Sequence, residues 1–65
     1  MDAKIDSVIQ EWVHKYDGDV NKAYHALRDE LEQYGEVEGA AALVEERETD
    51  MWAAMRMEEM LGIEE

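Results

Sequence analysis

A chain of 65 residues leaves room for one domain, 1–65, and this one carries a formal net charge of −12, no Cys and only His14 and His25. Such a short chain buries only about 60% of the surface it exposes when unfolded, and with no disulfide to staple it, self-association or a partner is the expected source of extra stability. The charge repels nucleic acid and anionic membranes, so neither is expected as a direct ligand. No run of 18 apolar residues occurs, and Met1-Asp2-Ala3-Lys4 is not a basic stretch leading into an apolar one. A soluble protein of the cytoplasm, or of a host cytoplasm if phage-encoded, is expected.

The absence of Pro and Phe and the scarcity of β-branched runs lean away from sheet, and periodicity points to an all-α fold. Ile5, Val8, Ile9, Trp12, Val13 and Tyr16 recur at the spacing of one helical face, which predicts a first helix over 3–17. Asp17-Gly18-Asp19 then breaks it, with Gly18 tolerant of a left-handed helix end and Asp19 a good N-cap for the next helix. Val20, Ala23, Tyr24, Leu27, Leu31 and Tyr34 mark the apolar stripe of a second helix over 20–34, closed by Gly35. The short connection favours an antiparallel hairpin with Trp12 buried between the two helices.

Residues 36–61 admit one long helix or two shorter ones. Val37, Ala40, Ala41 and Val44 are followed by the polar run Glu45-Glu46-Arg47-Glu48-Thr49-Asp50, and then by Met51, Ala54 and Met55. Thr49 or Asp50 would cap a separate last helix. One long helix is favoured, because the step from Val44 to Met51 keeps a seven-residue register and neither Gly nor Pro interrupts it. Gly62 followed by Ile63 fits a Schellman ending.

Residues that carry chemistry are scarce. Asp17, Asp19 and Asn21 occupy the first, third and fifth positions of a calcium loop, but Lys22 stands where that loop needs Gly and Arg28 where it needs Glu. Glu11 and His14 have the Glu-x-x-His spacing of bundle metal sites, yet fall off the apolar stripe and should face solvent. Met51, Met55, Met57 and Met60 spread around the helix axis instead of converging on a soft metal, and Arg56 is placed to lie over Trp52. No Ser-His-Asp or Cys-His set, phosphate-binding loop or basic patch is present. No cofactor, metal or catalytic residue is expected, and the chain is not expected to be an enzyme.

The stretch from Val8-Ile9-Gln10 through Asp17-Gly18-Asp19-Val20-Asn21-Lys22-Ala23 to Leu27 resembles the last two helices of ubiquitin-associated domains, in which a Gly- or Asn-containing turn precedes a helix with Ala and Leu at this spacing. The resemblance covers about 20 residues. The first helix of those domains and its Met-Gly-Phe/Tyr loop have no counterpart here, and no binding residue is carried over.

Charge distribution is the remaining signal. Residues 1–18 carry four carboxylates against two bases, residues 19–35 again four against two, and residues 36–65 ten against two. Only Arg47 and Arg56 interrupt the last set, whereas an ordinary exposed helix alternates acids and bases. On one long helix, 30 residues span roughly 45 Å, and two such helices side by side would bring the carboxylates to one per roughly 2.3 Å, near the one per about 1.7 Å of duplex DNA. The first expectation is therefore a DNA-mimic-like inhibitor or regulator of phage or mobile-element type. Glu45, Glu46, Glu48, Asp50, Glu58 and Glu59 would engage a basic, nucleic-acid-binding protein. The second is an adaptor or antitoxin-like module docking through an apolar C-terminal helix. In either case Met51, Trp52, Met55, Met57, Met60 and Leu61 would form a docking or homodimer surface within a helical bundle.

Overall fold

The apolar spacing of the first segment folds as α1 (Ala3–Lys15) in a computed structural model that describes residues 3–63. Its end is a Schellman turn: the Gly18 N–H donates to the Val13 carbonyl at 2.9 Å and the Asp17 N–H to that of His14 at 3.2 Å. The left-handed position falls on Asp17 (φ 54°) as well as Gly18 (φ 85°), a conformation short polar side chains tolerate. Asp19 then caps α2 (Val20–Glu38), accepting the Lys22 N–H at 3.0 Å.

Helix α2 does not stop at Gly35. It runs to Glu38 and turns at Gly39, whose φ of 96° and ψ of 162° lie in a region essentially reserved for glycine. Gly35 is instead an interior helical residue lying under α3, and a Cβ built there meets Leu43 Cδ2 at 3.4 Å, an ordinary contact. Gly35→Ala should therefore stabilise the fold by up to about 1 kcal/mol through helix propensity alone. A rise in the thermal midpoint checks this, and a fall would mean Leu43 cannot yield.

The single helix expected over 36–61 is not formed. The segment is divided into the end of α2, α3 (Ala40–Glu46) and α4 (Glu48–Leu61), with Arg47 at φ −118°, ψ 23° between the last two. Arg47 explains the break that neither Gly nor Pro announces: its Nη2 donates to Glu30 on α2 at 2.7 Å, and its guanidinium lies 5.2 Å from the Tyr34 ring centroid. These contacts hold the junction against α2, so the chain turns there instead of continuing straight. Neither Thr49 nor Asp50 is the cap; the N-cap of α4 is Arg47, which makes no side-chain cap bond. The Schellman ending at Gly62 (φ 73°) is formed, the Ile63 N–H reaching the Glu58 carbonyl at 3.0 Å.

Helix α1 packs on α2 and α4, and α2 also packs on α3 and α4, giving a small all-α bundle. Its core is Ile9, Ala23, Tyr24, Leu27, Leu31, Ala53, Ala54 and Met57. Ala23 on α2 and Ala53 and Ala54 on α4 are the small residues of this core. Trp12, expected in the core, is only partly buried. It stacks on Tyr16 with ring centroids 6.5 Å apart and lies under Lys15 Nζ at 4.5 Å, which makes it the edge of the core. The centre is Leu27 and Met57, each wholly enclosed.

Candidate functional site

Helix α4 has apolar residues on every side, and packing sorts them into two faces. Ala53, Met57 and Leu61 recur at the four-residue step and, with Ala54, turn toward α1 and α2. Met57 is 0% exposed, so it is a core residue and cannot serve the docking surface expected of it. Met51 and Leu61 are partly buried against the core. Trp52, Met55 and Met60 point away from it and stay 51%, 54% and 57% exposed. An exposed tryptophan flanked by two exposed methionines on one helix is an uncovered apolar surface on a very acidic protein. The expected contact of Arg56 with Trp52 is not formed; among the described residues the cation–π pairs are Lys15 on Trp12, Arg28 on Tyr24 and Arg47 on Tyr34.

The six carboxylates singled out on the sequence do not form one face. Glu45, Glu48 and Glu59 are exposed and make no ion pair or hydrogen bond among the described residues. The other three are engaged internally. Glu58 Oε2 lies 2.7 Å from Arg28 Nη1 and accepts the Tyr24 hydroxyl at 2.8 Å, and its side chain is only 20% exposed. Burial, then the bond to Glu58, pushes the Tyr24 phenol above its ordinary value.

Glu46 accepts the Tyr34 hydroxyl at 2.7 Å, and that bond pushes the Tyr34 phenol up to about 12. The contribution of this proton to stability is complete below the ordinary tyrosine value and is lost as pH rises through the raised one. Asp50 sits 3.4 Å from Arg47 Nε. That nitrogen is buried without a hydrogen bond, so the pair is a charge contact in which the donor is not aligned.

The structural role of Arg28 and Arg47 was not visible in the chain, because their partners Glu58 and Glu30 lie 30 and 17 residues away. The one available signal was that they are two of only six bases. Arg47→Ala removes the tie to Glu30, the contact with Asp50 and the cover over Tyr34. The loss should be about 1–2 kcal/mol, held down by solvent screening because Glu30 is 51% exposed. Hydrogen exchange should show the amides of α3 opening first; uniform acceleration in all four helices would assign Arg47 to the core instead.

Among the described residues, no group of three or more His, Asp or Glu side chains is placed to hold a metal ion, and no helix is long and apolar enough to cross a membrane. Glu11 and His14 lie exposed on α1. An apolar cleft of about 240 Å³ opens between α2, α3 and α4, with Leu31, Leu43, Met51, Ala54 and Met55 in its walls.

Compared with known proteins, the chain matches no family model, no curated protein and no solved structure. The likeness of residues 8–27 to ubiquitin-associated domains rests on a turn and a spacing, and in this fold α1 and α2 both pack against α4.

Proposed function

We propose that this protein is a non-catalytic protein-binding regulator that engages a basic partner, with apolar anchors on α4 set among unneutralised carboxylates. The observation that supports it most is the coexistence on one helix of exposed Trp52, Met55 and Met60 with exposed Glu48 and Glu59. Leaving such apolar surface in water is unfavourable, and hot spots of protein interfaces favour large anchors of this kind, tryptophan above all. The surrounding negative potential speeds encounter with a basic protein and rejects acidic ones. This is the adaptor-like mode of docking combined with selection by charge.

The finer assembly belongs to the same proposal: α1 and α2 form an antiparallel hairpin, and while no partner covers the outer side of α4 two copies pair through it, around Trp52 and Met60. Sedimentation at micromolar concentration would report twice the chain mass, and Trp52→Ala would return it to the monomer. The stricter reading, an imitation of duplex DNA, has less support. Its charge spacing needed a straight acidic rod of about 45 Å, whereas the breaks at Gly39 and Arg47 fold that segment back within a molecule 30 Å in its longest extent.

The test must spare the carboxylates that hold the fold. Glu45→Lys, Glu48→Lys and Glu59→Lys together should leave helicity unchanged, because solvated carboxylates contribute little to folding. They should abolish retention of a basic partner in affinity capture. If the partner is nucleic-acid-binding, the wild-type chain should also displace its DNA or RNA. Retention unchanged by the three reversals and lost only with Trp52→Ala would assign recognition to the apolar surface alone.

A further inference from the structure

The cleft between α2, α3 and α4 has an acidic border that lies on α2, most of it ahead of the segment in which the excess charge is concentrated. His25, Asp29, Glu32 and Glu36 follow one another at steps of four, three and four, which places them on one face of α2, and all four are exposed. Glu32 lines the cleft itself and also the shallow depressions on either side of it, one reaching His25 and Asp29 and the other Glu36. Neither Glu32 nor Glu36 has an ion-pair or hydrogen-bond partner among the described residues. The base on this rim, Arg28, has its charge met by Glu58 at 2.7 Å. An apolar slot therefore runs beside a row of carboxylates with little to offset it.

The chemistry of the walls narrows the occupant. A volume of about 240 Å³ falls below the range of about 300–1,000 Å³ usual for small-molecule sites and suits one or two protruding side chains. Met51 and Met55 give two walls unbranched, adaptable side chains, of the kind used by surfaces that receive helices. A second copy of this chain is a poor occupant of this cleft, since with only six Lys and Arg it offers no row of cations to meet these carboxylates. The carboxylates from Asp29 to Glu36 span about 10 Å along α2, and Lys or Arg residues one and two turns apart on a facing helix repeat at the same interval.

Resting on the basic-partner reading above, we propose that this cleft receives a basic amphipathic helix of the partner protein. A large aliphatic side chain enters between Leu31, Leu43, Met51 and Met55, and Lys or Arg residues at helical spacing meet Asp29, Glu32 and Glu36. This is the helix-in-groove mode, with the charge row fixing which helices are accepted.

The test uses the whole chain and three synthetic helical peptides of equal length: one with Leu on one face and Lys on the other, one with each Leu replaced by Gln, and one with each Lys replaced by Glu. The Leu/Lys peptide should bind at least tenfold more tightly than either of the others and shift the methyl resonances of Leu43, Met51 and Met55. Glu32→Lys with Glu36→Lys should weaken it tenfold or more. So should Met55→Glu, at a position already more than half exposed where the fold is not at stake, whereas Trp52→Ala, outside the cleft and an anchor only for the whole partner, should leave the affinity for the short peptide unchanged. Equal binding of the Gln peptide would mean charge alone and overturn the cleft. A footprint on Trp52 and Met60 would also overturn it while leaving the basic-partner reading in place, and no binding of either cationic peptide would overturn both.

Discussion

Leu27→Ala and Met57→Ala should each unfold a large share of the protein. Both side chains are wholly enclosed, and truncating such a residue to Ala costs about 2–5 kcal/mol through lost burial and the cavity left behind. A domain of this length has a total stability of roughly 3–10 kcal/mol, so either loss is a large fraction of it. Circular dichroism in a urea titration should show midpoints far below wild type for both variants, with only a small change for Trp52→Ala on the outer face of α4. If Trp52→Ala proved the most destabilising of the three, the outer face would be part of the core and the assignment of the two sides of α4 would be inverted.

The second large effect should come from Glu58. Its carboxylate accepts the Tyr24 hydroxyl and faces Arg28, so Glu58→Ala deprives a buried phenol of its acceptor and takes one carboxylate away from Arg28. An unsatisfied buried donor costs about 1–3 kcal/mol. The ion pair adds little beyond that, because the Arg28 side chain is 38% exposed and solvent screens it. A double-mutant cycle with Tyr24→Phe should show a coupling of about 1 kcal/mol. Additive losses would mean that Glu58 acts only through the general field of the protein.

Local chemistry made part of this fold legible. The Asp19 cap, the turn at Asp17-Gly18 and the Gly62-Ile63 ending each depend on residues within a few positions of one another, and all three are formed as expected. Gly35 shows the limit of such reasoning: a glycine after an apolar stripe looks like a stop, yet here it is the place where α3 crosses α2, and the stop is Gly39. The break at Arg47 was hidden because its cause is tertiary, a guanidinium drawn to Glu30 and Tyr34 across a seven-residue step from Val44 to Met51 that keeps helical register.

The candidate surface was legible in composition but not in geometry. Counting charge by segment located the acidic excess, but it could not tell Glu58, spent on Arg28 and Tyr24, from Glu59, which faces water. Nor did it find the row of Asp29, Glu32 and Glu36, which is unremarkable along the chain and becomes significant only beside the cleft. On α4, apolar residues occupy positions all around the axis, so periodicity alone did not separate buried Met57 from exposed Met55 and Met60.

Recognition of a basic partner is tested most directly by affinity capture from an extract of the source cell at low and high salt, with the wild-type chain beside the triple variant Glu45→Lys, Glu48→Lys, Glu59→Lys and beside Trp52→Ala. A basic protein should be retained by the wild type at low salt, be released steeply as salt screens the carboxylates, and be lost to both variants. Retention of the same proteins by the wild type, by both variants and by an unrelated acidic protein of similar charge would contradict the account.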